Sequence, residues 1–166
     1  VKHFSLDAVE GAARAGTLRT RHGDIETPVF MPVGTQASVK ALTPDELRAA
    51  GAAIILANAY HCYLRPGVDI IERAGGLHGF MAWSGAILTD SGGFQMFSLA
   101  KLATVDDEGY HFASHLDGTR HTFTPESVVQ LQERLGSDIA MVLDDVAPAG
   151  VDEARAQQAA QRTLAW

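Results

Sequence analysis

The chain has 166 residues, 46% hydrophobic and 20% charged, with a net charge of −7: a globular composition long enough for one domain or part of one. No apolar run reaches the roughly 18 residues of a membrane-spanning helix, and the opening VKHFSLDAVEG lacks the basic-then-apolar order of a secretory signal, so the expectation is a cytoplasmic protein with no membrane partner. The acidic balance argues against a basic face of the chain's own for gripping nucleic acid, though not against a nucleic-acid substrate, and the single Cys62 excludes a disulfide framework or a thiolate-rich zinc site.

The first residues alternate in short segments, Phe4-Ser5-Leu6, then 16–20, then Ile25-Glu26-Thr27, which predicts an antiparallel ribbon over 1–27. Between the first two, residues 7–14 read as one or two helical turns closed by Gly16. Val29-Phe30-Met31-Pro32-Val33 is a short apolar run. Thr43 as N-cap, Pro44 at the first helical position, Glu46 completing a capping box and Gly51 as stop then predict a helix over 43–51. An apolar stretch over 52–57 ends in Asn58-Ala59-Tyr60-His61, a helix follows over 68–74, and Gly75-Gly76 reads as its stop.

The next apolar strand, 86–89, breaks into Asp90-Ser91-Gly92-Gly93-Phe94-Gln95. Residues 96–124 interrupt the rhythm as a β insertion, with alternating segments 109–114 and 119–123 joined across Asp117-Gly118. Thr124, Pro125 and Ser127 open a helix that Gly136 stops, a fourth apolar strand over 139–143 ends in Asp144-Asp145, and 152–166 reads as a final helix. Four continuous apolar strands, near 29–33, 53–57, 86–89 and 139–143, separated by helices, predict an α/β fold with a parallel sheet. It is half of an eight-stranded barrel or a small open sheet.

In either architecture ligands bind at the carboxyl ends of the strands. Those ends carry Gly34-Thr35-Gln36, Asn58, the Asp90 loop and Asp144-Asp145, so two carboxylates, an amide and a glycine-rich loop converge on one mouth. Asp90 suits general acid/base work if burial or a second carboxylate raises its pKa. Gly92 and Gly93 leave backbone N–H groups accessible, and Phe94 is either a stacking face for a planar ligand or plain core. Taken singly, Asn58 is equally a turn residue and Asp144-Asp145 equally a helix cap. His61, His78, His111, His115 and His121 lack zincin spacing, and no phosphate-binding or dinucleotide glycine motif is present, so no metal or nucleotide site is expected within this chain.

The segments TPVFMPVGT (27–35), ANAYHCYLRPG (57–67), GLHGFMAW (76–83), ILTDSGGFQMFSL (87–99), SHLDGTRHTFTPE (114–126) and LGSDIAMVLDD (135–145) together closely resemble the tRNA-guanine transglycosylases, or queuine tRNA-ribosyltransferases, in one register. The resemblance implies a single partial domain over 1–166: an antiparallel ribbon over 1–27, then the first half of a (β/α)8 TIM-type barrel, with four β/α units over 28–166 and the β insertion near 96–124. It implies a pentosyltransferase that exchanges guanine at the wobble position of a GUN anticodon in tRNA for a 7-deazaguanine base, queuine or its aminomethyl precursor. The reaction would pass through a covalent ribosyl-enzyme intermediate without a nucleotide cofactor.

By the same resemblance Asp90 is the general acid/base, and Asp144 reads the guanine-like edge of the base as an acceptor-only carboxylate. Ser91, Gly92 and Gly93 let backbone approach the base, Phe94 stacks on it, and Asn58 contacts Asp90 when the site is empty. The family's nucleophilic aspartate, its basic tRNA-binding segments and its Cys/Cys/Cys/His structural zinc site would lie beyond residue 166, leaving this chain alone incomplete. Val146 stands where the common bacterial pattern has Cys, as in relatives that accept queuine, which sets an expectation of queuine preference. The resemblance further implies a homodimer or pairing with a related noncatalytic subunit. Two competing readings are that the chain is itself such a noncatalytic partner, against which intact Asp90 and Asp144 speak, or that it is an unrelated barrel hydrolase using Asp90 and Asp144.

Overall fold

A computed structural model describes residues 3–99 and 103–166. Strands β1 (Phe4–Glu10), β2 (Ala13–Thr20) and β3 (Gly23–Thr27) form an antiparallel sheet in that order, which places the ribbon where the sequence put it. In place of the helical turns expected over 7–14, the backbone runs on as a hairpin, with Val9 opposite Arg14 and Glu10 opposite Ala13. Gly11, at φ 59°, is the first of the two turn residues, a position that a two-residue hairpin reserves for glycine. Gly16 lies inside β2 rather than closing a helix: a Cβ there would stand 2.4 Å from the Phe4 ring, so its bareness lets that ring cross the strand.

After β4 (Val33–Gly34), helix α1 (Pro44–Ala49) begins at the expected capping box, Thr43 Oγ1 accepting from Glu46 N at 3.2 Å and Glu46 Oε2 from Thr43 N at 2.8 Å. Strand β5 (Ile54–Ala57) leads into α2 (Ala59–Leu64), α3 (Val68–Arg73) and α4 (Gly76–Met81). Strand β6 (Ala86–Thr89) leads into α5 (Gly93–Ser98). Of these, α2, α4 and α5 escape the sequence reading: each is six residues long, and α4 and α5 begin at glycines that read as a stop or a turn.

The insertion near 96–124 contains the antiparallel sheet β7 (Ala103–Val105), β8 (Tyr110–Ala113) and β9 (Arg120–Phe123); its residues 100–102 lie outside the described residues. Its hairpin turns through 114–119 rather than tightly at Asp117-Gly118, with Ser114 N donating to Thr119 O at 2.7 Å and Gly118 N to Ser114 O at 2.8 Å. Helix α6 (Pro125–Leu135), strand β10 (Ile139–Ala140) and helix α7 (Glu153–Ala165) complete the chain, α6 capped by Thr124 and α7 by Asp152. None of the described helices is long and apolar enough to cross a membrane.

The parallel sheet has the order β10-β6-β5-β4, so each strand lies beside its sequence neighbour of the same sheet. It is open, with β4 and β10 as edges and no closed barrel among the described residues. Alternate side chains of its central strands enter two cores. Ile55, Ala57 and Ile87 pack with Ile71, Leu77, Val128 and Leu135, while Ile54 and Ala86 pack with Ile25 of β3. The ribbon therefore seals one side of the sheet.

Both edge strands are shorter than their apolar runs. At β4 two prolines, Pro28 and Pro32, lack the N–H that a ladder needs. Beyond β10 a side chain joins the ladder: Met141 N donates to Thr89 O at 3.1 Å and to Gln132 Oε1 at 3.0 Å, and Gln132 Nε2 donates to Met141 O at 2.9 Å. The same Oε1 accepts from Thr89 Oγ1 at 2.8 Å, so one buried amide joins α6, β6 and the outgoing strand.

At the amino ends of these strands, buried Asp138 accepts from Ile87 N at 2.9 Å and meets His22 Nδ1 at 2.8 Å and His78 Nε2 at 3.3 Å. These three carry metal-ligating atoms, although no metal site was expected in this chain. The two imidazoles stack at 3.6 Å with planes 18° apart, each with a ring nitrogen at the Asp138 carboxylate. The arrangement is that of a hydrogen-bonded clasp between the ribbon and the sheet. Burial, and next the neighbouring His22, lower the His78 pKa below its ordinary value, against the pull of Asp138.

Replacing Gln132 with Leu keeps the volume but removes the donor to Met141 O, leaving the Thr89 hydroxyl with Ser137 Oγ and the Met141 N–H with Thr89 O. Urea unfolding of Gln132→Leu is expected to show a loss of about 1–3 kcal/mol, and a loss below about 0.5 kcal/mol would mean the amide does not hold this edge.

Candidate functional site

Asp90 follows β6 directly, where its backbone N–H still pairs with Ala57 O at 3.2 Å. Its carboxylate is half-buried and accepts three hydrogen bonds: Asn58 Nδ2 at 2.6 Å on one oxygen, Ala59 N at 3.0 Å and Gly92 N at 3.2 Å on the other. Burial raises the Asp90 carboxyl above its ordinary value; the donors of Ala59, Gly92 and Asn58 oppose the rise, and the charge of Asp144 adds to it. The raised proton affinity of Asp90 suits general acid/base work better than that of a solvated Asp.

Asn58 resolves its two readings by doing both jobs. Its Oδ1 caps α2 by accepting from His61 N at 2.9 Å, which fixes the amide so that Nδ2 faces Asp90.

The glycine loop brings Asp144 in. Ser91 Oγ donates to Asp144 Oδ1 at 3.0 Å and accepts from Gly93 N at 3.3 Å. A Cβ on Gly93 would stand 2.3 Å from Asp144 Oδ1 and 2.8 Å from its backbone O, so only glycine admits the carboxylate at this place. Gly92, at φ 85°, has a second demand: its Cβ would press on Tyr60 at 3.1 Å. Phe94, in the first turn of α5, is 61% exposed, which makes it a free aromatic face rather than core.

Asp144 and Asp145, expected at one mouth together, part company. Asp145 is buried and bound by Arg155 at 2.5 Å and 3.0 Å and by Arg162 at 2.6 Å. Burial alone would raise its pKa, but these two guanidiniums hold the carboxyl below its ordinary value. It is an anchor for α7, not a ligand group. Successive side chains of an extended segment point to opposite sides, which is why neighbours can differ so completely.

Val146 is half-buried and lines a cavity of about 220 Å³ with Met96, Phe97, Tyr110 and Arg155. Its N–H donates to the Tyr110 hydroxyl at 3.3 Å, and that hydroxyl donates to Asp144 O at 3.0 Å. Sequence reasoning passes over Tyr110, because an alternating strand residue carries no mark of a partner 34 positions away. The arrangement as a whole offers a proton-transferring carboxyl, an acceptor carboxylate with an oxygen to spare and an exposed aromatic ring around a glycine turn.

Because the Asp144 charge contributes to the Asp90 shift, Asp144→Asn is expected to lower the Asp90 midpoint in a carboxyl carbon NMR titration while leaving it above the ordinary value. An unchanged midpoint would dissolve the electrostatic link between the two.

A family model described as queuine tRNA-ribosyltransferase matches residues 8–166. The queuine tRNA-ribosyltransferase of Desulforudis audaxviator is 62% identical over 154 residues, covering 93% of this chain and 41% of that relative. Those of Nitratidesulfovibrio vulgaris and Oleidesulfovibrio alaskensis are 55% and 54% identical, covering 98% and 100% of this chain and 44% of each relative. The chain therefore spans less than half the length of these relatives. With the match running unbroken through both halves of the site, the chain belongs to the queuine tRNA-ribosyltransferase family.

Proposed function

We propose that the chain is the amino-terminal, base-handling part of a tRNA-guanine transglycosylase that exchanges a tRNA wobble guanine for a 7-deazaguanine base. The observation that carries this reading is Asp90, held by three donors beside a glycine turn that admits Asp144. In such an exchange an aspartate supplied by the remaining length of the protein attacks the ribose C1′, forming a C–O bond as the C1′–N9 bond to guanine breaks. A neutral Asp90 gives its proton to the departing guanine. The resulting carboxylate then takes the N9 proton of the incoming base, whose nitrogen displaces the aspartate and restores both groups.

The other roles follow from placement. Asp144 accepts from the adjacent N–H donors of a guanine-like edge, Ser91, Gly92 and Gly93 keep that edge approachable, and Phe94 covers the ring plane. Asn58 holds Asp90 while no base is present. The substrate is tRNA with a GUN anticodon.

The open sheet is read as the first half of a (β/α)8 barrel: its strands run in consecutive order, and Val33 and Val142, at or just beyond its two edge strands, are 54% and 59% exposed. Residues 1–27 are then the ribbon at the barrel's base and 28–166 its first four units. The family's Cys/Cys/Cys/His zinc site does not fit this chain, whose one cysteine, Cys62, is buried with its thiol pushed up to about 12. No step here runs through a metal. Intact Asp90 and Asp144 favour a catalytic chain over a noncatalytic partner.

In a full-length enzyme, Asp90→Asn is expected to lower exchange of labelled guanine into tRNA by about 10²- to 10⁴-fold, and an unchanged rate would remove the role given to Asp90. Val146 in place of Cys is expected to favour queuine over the aminomethyl precursor when the two compete for the same tRNA. Preferential uptake of the precursor would overturn that assignment.

A further inference from the structure

We propose that Tyr110 is a positioning residue for base selection: its hydroxyl bridges the backbone on both sides of Asp145 and so sets the direction in which Asp144 projects. The inference rests on the transglycosylase reading of the site and deepens it.

Residues 141–148 have no regular secondary structure, so no ladder orients Asp144. Its neighbour is held from α7, Asp145 N donating to Thr163 Oγ1 at 2.9 Å while the carboxylate is gripped by Arg155 and Arg162. Those contacts hold the Asp144–Asp145 peptide at its N–H but leave its carbonyl side, and the Asp145–Val146 peptide, with freedom to shift. The Tyr110 hydroxyl closes that freedom: it donates to the Asp144 carbonyl at 3.0 Å and accepts from Val146 N–H at 3.3 Å. One phenol thereby satisfies the Asp144 carbonyl and the Val146 N–H together.

The phenol is itself immobilised. Tyr110 is 4% exposed and lies edge-on to Trp166, with ring centroids 5.7 Å apart. Just before it, a Cβ on Gly109 would come 2.1 Å from Phe123 O, so the start of β8 is pressed against β9. Burial pushes the Tyr110 phenol up to about 12, which keeps its proton in place as the donor to Asp144 O. The insertion sheet thus has a task at the site although it supplies no group that touches the base.

On the Asp144 side chain, Ser91 engages Oδ1, and no described residue donates to Oδ2. Two adjacent N–H donors of guanine need the carboxylate in one plane; hypoxanthine, which lacks the 2-amino group, needs only one. Loosening the backbone therefore weakens guanine more than hypoxanthine.

The test uses a full-length enzyme with Tyr110→Phe, which keeps the buried ring and removes only the hydroxyl, beside Asp144→Asn. Kinetics of guanine exchange into tRNA and competition between guanine and hypoxanthine are read for each. For Tyr110→Phe the KM for guanine is expected to rise about 3- to 10-fold with kcat within about twofold, and the guanine preference to fall by a similar factor. The preference is a ratio, so a partly unfolded preparation does not imitate its loss. Unchanged KM and preference in Tyr110→Phe, with both lost in Asp144→Asn, would overturn the positioning role and leave the functional reading standing. A lowered kcat with unchanged preference would likewise overturn it, as a merely structural effect. Unchanged preference in Asp144→Asn would overturn the assignment of Asp144 itself.

Discussion

A carboxylate drawn partly out of water has to be given donors, and the way Asp90 obtains them organises the carboxyl end of the sheet. Its donors come from the residue that follows β5, from the first residue of α2 and from its own glycine turn. The two central strands are thereby tied at their exits, and α2 is launched in a direction set by Asn58. The turn that satisfies Asp90 also throws Ser91 toward Asp144. Since burial outweighs the three donors, the same contacts that hold the acid leave its proton affinity high.

A second constraint is the separation of tasks between adjacent acids. Asp145 is taken up by two arginines of α7, an arrangement that costs desolvation and returns it only through close, multiple contacts. With Asp145 immobilised, Asp144 is presented on the opposite side and remains an acceptor with unused capacity. The peripheral elements, α7 and the insertion sheet, are accordingly parts of the site's scaffold rather than decoration. Gln132 plays a comparable part lower down, keeping the strand that delivers these acids against β6.

The family relationship gives this arrangement a chemical meaning and also a boundary. In the proposed reading, base recognition and proton transfer use groups of this chain, which spans less than half the length of the relatives it matches.

Much of this was legible along the chain. The helix starts at Thr43 and Thr124 are written in residues three apart, the parallel strands in runs too apolar for a one-faced sheet, and Asp90, Asn58 and the glycine turn in their places after strands. What local pattern misjudged was local too: 7–14 looked helical because Ala, Val and Glu tolerate both states, and pairing with β2 decided for strand. The remaining decisions were tertiary. His22 meets Asp138 across 116 residues, Tyr110 reaches Asp144 across 34, and the fates of Asp144 and Asp145 diverge only because α7 folds back with two arginines. Sequence by itself determined which chemical groups stand at the strand ends, since backbone periodicity and turn chemistry are short-range. Only the tertiary structure decided which of them are buried, paired or left open, since that depends on partners no local pattern can name.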